Sequence, residues 1–167
     1  GCGYSDNKEV TFTPNRPPDA AAGFDRAICS GSSTTLGAAA IPGSTYSWTS
    51  APGTFTSTVS NPSVSPTVNT TYTVVETITA TGCNNTHSVV VTVNAVPATP
   101  TASATLQPSC TVATGTITVS APTGTGMTYS INGSTYTNTT GIFTLVPTGI
   151  YTVTAKSQAG CISSGTS

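Results

Sequence analysis

The residues of this chain best placed to do chemistry are five cysteines. Cys2, Cys83 and Cys161 each follow a glycine, at intervals of 81 and 78 residues, while Cys29 and Cys110 each stand 27 residues after a Gly-Cys pair. Cysteines kept in register inside small units predict disulfides and an oxidising compartment, and no Cys-x-x-Cys or Cys/His cluster suggests a metal site. Acid–base chemistry has much less to draw on. One His, five acids and four bases are the whole supply of tunable groups, so no catalytic residue, cofactor or metal ligand is expected. His87 reads as a solvated residue at the start of a strand. Asp19 and Asp25 flank an Ala/Gly segment, and two carboxylates give too little oxygen charge to hold calcium, so the segment reads as a linker. Lys156 and Glu76, candidates for an isopeptide link, fall in different domains. The Asn-x-Ser/Thr triplets at Asn69, Asn84, Asn132 and Asn138 arise readily by chance in so Thr-rich a chain. Tyr136 and Phe55 are the surface aromatics able to stack on a sugar ring or a partner, with core packing as the default reading of each.

The elements that must position the cysteines follow from the repeat. Gly82-Cys83 opens a turn and then a strand, Ser88–Val93, and the same outline stands at Gly1-Cys2 and begins again at Gly160-Cys161. The chain therefore divides into residues 1–13, the closing strand of a preceding repeat, and two domains at 14–96 and 97–167. Stiff Pro-containing linkers, Asn15–Asp19 and Ala95–Pro100, precede the two domains. Turn punctuation predicts strands at 27–29, 34–37, 45–49, 54–59, 71–78 and 88–93 in the first domain. In the second it predicts 102–106, 115–120, 127–131, 136–138, 141–145 and 149–155. Asn132-Gly133 is a hairpin signal, because both residues tolerate the positive φ of a tight turn. Alternation of Ile117/Val119, Tyr129/Ile131 and Tyr151/Val153 with Thr or Ser gives one buried and one hydroxyl-bearing face, and no stretch carries a helical period. The expected fold is all-β: tandem Ig-like β-sandwich domains.

Composition narrows the partners. Charged residues make up 5% of the chain and the formal net charge is −1, which excludes nucleic acid and anionic membrane surfaces as electrostatic partners. No apolar run is long enough to span a bilayer, so no membrane insertion is expected. Solubility falls to Thr, Ser and Asn, and Thr suits an exposed strand because it is β-branched yet keeps a hydroxyl in water. Few Lys and Arg also leave few sites for trypsin-like proteases, which fits an extracellular or cell-surface location.

Trp48 on the third strand and Tyr72 at the start of the penultimate one match the central Trp and corner Tyr of immunoglobulin-type sandwiches. The strand position two residues after Tyr72 is Val74 rather than Cys. Cys83 stands instead in the following turn and Cys29 just before the second strand, so the expected bonds are Cys29–Cys83 and Cys110–Cys161, each clasping one end of its sandwich. In the chain-entropy view each contributes roughly 4 kcal/mol. Cys2 is expected to find its partner in a neighbouring repeat.

Ile28–Ser33 with Leu36, Tyr46–Trp48, Asn61–Pro66, Thr70–Thr73 and Gly82-Cys83 together resemble the Ig/PKD-like repeats of very large secreted surface proteins of the Bacteroidota. Ser109-Cys110, Gly115–Thr118, Tyr129–Ile131, Phe143–Leu145, Gly149–Val153 and Gly160-Cys161 are similar to the SprB repeat, named for a giant gliding-motility adhesin. The resemblance implies type IX secretion and a cell-surface role in attachment or gliding. The chain departs from the SprB pattern in its turns, where Thr, Ser and Gly replace acidic residues and so remove ligands for calcium. The expected function is a structural and adhesive repeat segment of a long extracellular adhesin or filament, without enzymatic activity. The alternative is a carbohydrate-binding or spacer module of a secreted multidomain enzyme. Expected partners are neighbouring repeats or subunits of the same protein, and a surface polysaccharide or substratum. Eleven residues follow Cys83 to Asn94 but six follow Cys161, so the second domain is expected to present an unpaired edge that adjoining repeats of a longer chain complete. Strand addition by residues 8–13 of another copy ranks second.

Overall fold

The computed structural model describes residues 16–167, so the expected strand at 1–13 and the partner of Cys2 lie outside the described residues. Among the described residues there are strands and no helix: β1 (Arg26–Cys29), β2 (Thr34–Thr35), β3 (Ser44–Ala51), β4 (Thr56–Ser57), β5 (Ser63–Val64), β6 (Thr70–Ile78), β7 (Asn84–Asn94), β8 (Thr101–Leu106), β9 (Thr114–Ala121), β10 (Thr128–Ser130), β11 (Ile142–Pro147) and β12 (Thr154–Lys156). The break between β7 and β8 falls on residues 95–100, where Pro97 and Pro100 have no N–H to give a ladder.

β6 shows why the all-β reading holds. Thr70, Tyr72, Val74 and Glu76 are buried, and the residues between them are half-buried. β3 alternates in the same way about Trp48. The two strands pair antiparallel from Ser44 opposite Ile78 to Ala51 opposite Thr71, which sets Trp48 beside Val74. Their sheet runs β1-β7-β6-β3-β4, and β2 pairs with β5. Trp48 is fully buried, and its indole Nε1 has no hydrogen-bond partner. Its ring edge lies over Gly37, where φ is +69° and an added Cβ would collide with the Ser60 carbonyl. Phe55 packs edge-on against Tyr72, with ring centroids 5.5 Å apart. Burial raises the Tyr72 phenol above its usual range, opposed by a hydrogen bond with Thr70.

The remaining strands make a three-stranded sheet, β11-β9-β8, and a pair, β10-β12. Val119, Tyr129, Val153 and Ala155 form their core, with Ala102, Ile117, Met127, Ile131 and Phe143 packed against it. At the predicted hairpin, Gly133 takes φ +72°, and Asn132 Oδ1 accepts from the backbone N–H groups of Ser134 and Thr135. Beyond that turn Asn138 bridges to Tyr129. The chain forms two compact units. One comprises the described residues up to Asp25 with Thr35–Val64 and Thr70–Val90; the other comprises Arg26–Thr34, Ser65–Asn69 and Val91–Ser167.

The disulfide pairing differs from expectation. Cys29 bonds to Cys161, with a Cα–Cα distance of 5.6 Å, and Cys83 and Cys110 are free thiols. The reason lies in strand direction. β1 runs parallel to β7 with Cys29 opposite Asn94, whereas Cys83 immediately precedes Asn84 at the other end of the strand. At about 3.3 Å per residue the strand puts the two cysteines roughly 35 Å apart along its length, and a disulfide needs Cα atoms within about 7 Å. With Cys161 committed to Cys29, Cys110 loses its expected partner and is a free thiol. Ser30 N–H donates to the Asn94 carbonyl, and the Cys161 sulfur lies 3.9 Å from that same oxygen.

Peptide mapping under non-reducing conditions is expected to recover a Cys29–Cys161 peptide. Cys29→Ser removes a bond that spans 132 residues, and is expected to lower stability to denaturant by about 2–5 kcal/mol. Gly37→Ala is expected to cost at least about 2 kcal/mol, since it combines a left-handed backbone with a steric clash, and chemical denaturation measures it.

Candidate functional site

Segment 18–25 runs over one unit as a strap, and its backbone is held by four side-chain hydrogen bonds and one backbone bond rather than by a strand ladder. Ala20 N–H donates to Glu76 Oε2 at 3.0 Å. Ala22 N–H donates to His87 Nδ1 at 3.1 Å, and the Ala22 carbonyl accepts from Gly37 N–H. Asn85 Nδ2 donates to the Pro18 carbonyl at 3.0 Å. At the far end Asp25 Oδ1 accepts from Val90 N–H at 2.8 Å. Ala20 and Ala22 are fully buried as a result. The two side chains that are buried here are the small ones of Ala20 and Ala22. Ala20 adopts φ +48° to make the turn, while Phe24 is left almost wholly exposed.

Glu76 is the centre of the site. It is 2% exposed and occupies the inward register of β6. Its second oxygen, Oε1, accepts from the Tyr46 hydroxyl at 3.4 Å, and that hydroxyl in turn accepts from Ile41 N–H. The carboxylate is therefore held by an amide and a phenol, donors that bear no full charge. Beside it opens a groove of about 510 Å³ lined by residues 16–19, 41–44, Ile78 and Ala80 as well as Glu76.

The residues singled out from sequence take definite places. His87 is exposed, but it is the fourth residue of β7 rather than its first, and it accepts the Ala22 bond. Asp19 reaches Arg16 at 3.9 Å and Asp25 caps Val90, so neither carboxylate points to a common centre. No three of His, Cys, Asp and Glu come together among the described residues. Lys156 Nζ lies 5.4 Å from the centre of the Tyr136 ring, and the Tyr136 hydroxyl shares a 2.8 Å hydrogen bond with Thr154. Tyr136 and Phe55 thus pack within the fold. Sequence reading missed the strap. The available signal was Glu76 itself, an acid in phase with Thr70, Tyr72 and Val74, which a strand facing the core does not carry without a donor to meet it.

No family model matches the chain, and no curated protein matches it significantly.

Glu76→Ala leaves the Ala20 amide and the Tyr46 hydroxyl without their acceptor and is expected to cost about 2–3 kcal/mol, with Glu76→Gln costing less. His87→Ala is expected to cost under about 1 kcal/mol and to speed amide hydrogen exchange at Ala22 while leaving β3 unchanged. Denaturant titration and exchange measured by NMR check both.

Proposed function

We propose that the chain is a structural and adhesive repeat segment, two Ig-like β-sandwich domains at 14–96 and 97–167, within a long extracellular adhesin or filament without enzymatic activity. The observation that carries this reading is how the ionisable groups are used. Glu76, His87 and Asp25 each accept a backbone N–H from a neighbouring segment, so they serve to fix geometry between segments. A chain that turns a buried acid, a His and an Asp to holding its own backbone suits a part made to hold shape. The exposed surface fits the same role. Thr73 and Ser88 share a 2.9 Å hydroxyl bond across neighbouring strands, and Thr105 and Thr118 share one at 3.0 Å, so the outer faces are stabilised by pairs that salt does not screen.

A disulfide supports an oxidising, extracellular setting. The resemblance to Ig/PKD-like and SprB-type repeats of the Bacteroidota adds type IX secretion, attachment and gliding to the proposal. Neighbouring repeats and a surface polysaccharide or substratum are the proposed partners. A second reading, a carbohydrate-binding or spacer module of a secreted enzyme, draws on one feature. A groove of about 190 Å³ is lined by Tyr151, Gln107, Thr116 and Pro147, the mixture of ring and hydrogen-bonding groups that a sugar uses.

Antibody raised against the chain is expected to label intact cells that produce it, and signal seen only after permeabilisation overturns the surface assignment. On a glycan array the adhesive reading predicts weak, broad binding. Sharp micromolar selectivity for one polysaccharide, lost in Tyr151→Ala, establishes the second reading.

A further inference from the structure

β9 is the middle strand of the sheet β11-β9-β8, and its inner face carries Gly115, Ile117 and Val119 at alternate positions. Val119 packs with Tyr129, Val153 and Ala155 in the core. β9 has eight residues while β10 and β12 have three each, so the smaller sheet stops short of Gly115 and Ile117. What meets those two residues is the segment 147–151, and the fit leaves a trough. Three hollows of about 190, 340 and 360 Å³ adjoin one another there, and Tyr151 borders all three. The ring is fixed in place. Its hydroxyl donates to the Pro147 carbonyl at 3.1 Å, and a Cβ on Gly149 would stand 3.3 Å from a ring carbon, so bare backbone lies against it. Gly115 lets the chain close down in the same way, since a Cβ there would lie 2.5 Å from the Leu106 carbonyl oxygen.

No charged side chain and no His lines any of the three hollows. A charged occupant would lose water there without meeting a counter-charge, so a neutral one is favoured. The polar groups on offer are amide and hydroxyl. Gln107, Thr116 and Thr148 line the hollow that adjoins both others, and among the described residues none of their side chains is spent on a hydrogen bond within the chain. The ends are apolar. At one of them the β11 register slips between Phe143 and Val146, and Leu145 takes φ +57°, a backbone that a bulky residue seldom adopts. Its side chain is 77% exposed. At the other end stands Ile150, 94% exposed. A peptide added as a strand needs free backbone, and both sides of β9 are already paired, to β8 and β11. A sugar needs a ring to cover its C–H face and hydroxyl or amide groups about its rim, and the trough supplies both. We propose that the trough holds an extended segment of a neutral polysaccharide, stacked on Tyr151 and hydrogen-bonded by Gln107, Thr116 and Thr148. The inference rests on the polysaccharide partner of the adhesive reading, and gives that partner a place and a charge class.

The test titrates the whole isotope-labelled chain with cellohexaose, laminarihexaose and hexa-N-acetylchitohexaose, read by NMR shifts. At least one of the three is expected to shift Thr116, Ile117, Thr148, Gly149 and Tyr151 and to leave Trp48 and Val74 unmoved. Hexagalacturonate, of the same length with a carboxylate on every ring, is expected to bind at least about tenfold more weakly. Tyr151→Ala is expected to weaken binding of the neutral hexamer by about tenfold. Tyr151→Phe, which keeps the ring and gives up only the Pro147 tether, is expected to retain most of it. Circular dichroism and unchanged shifts at Val119 and Ala155 show that the variants are folded. Shifts in the trough from none of the three glycans, equal binding of hexagalacturonate, or full binding by a folded Tyr151→Ala chain overturns the proposal. So does a neutral Thr/Pro-rich peptide that shifts the trough where the three glycans leave it unmoved, which makes it a protein-docking site. Each of these results leaves the adhesive reading to the labelling of intact cells, and label seen only after permeabilisation removes that reading without altering the glycan shifts.

Discussion

A carboxylate buried in a chain with almost no charge must be met by donors that carry none, and the first unit is arranged around that requirement. Glu76 sits in the inward row of β6, 2% exposed. An amide from outside the sheet, that of Ala20, reaches one of its oxygens. Bringing that amide in fixes the course of the whole strap. Once Ala20 is seated, Ala22 falls over His87 and Asp25 over Val90. A single buried acid thus ties the strap to the sheet, through donors whose desolvation is repaid only while the strap is in place.

The parallel register has a second effect, on covalent chemistry. The cysteine pattern in the sequence has one period, and pairing each cysteine within its own repeat is the simplest reading of it. Strand direction overrules that reading, since a parallel first strand carries Cys29 to the end of β7 remote from the Gly82-Cys83 turn. Cysteine spacing reports how far apart two thiols are along the chain; whether they meet depends on whether the strand between them runs back or onward.

Much of the architecture could be read from the residues, and the unreadable parts have physical causes. The alternation about Trp48 and Tyr72 placed β3 and β6 and their buried faces, because a two-residue period leaves no freedom once a large ring is inside. Asn132-Gly133 marked its turn for the same reason, local chemistry with a single backbone solution. β1 is different. Arg26-Ala-Ile-Cys29 is too short for periodicity to give a partner or a direction. The candidate site was invisible for a related reason. His87 and Asp25 were each visible as isolated polar residues, and only tertiary structure shows that they grip the same segment as Glu76.

The edge pairing of β1 with β7 also bears on how the fold takes tension. Arg26 stands level with Val91 and Cys29 with Asn94, in the same direction. A pull applied to the chain before Arg26 and after Asn94 drags these two strands past one another along their length. Their hydrogen bonds are then loaded together, in shear, whereas an antiparallel hairpin pulled from its open end parts one bond at a time. The Cys29–Cys161 bond closes a loop that contains β7, so a pull that leaves the chain beyond Cys161 runs through the covalent link and spares this ladder, whereas one applied between Asn94 and Cys161 loads it in shear.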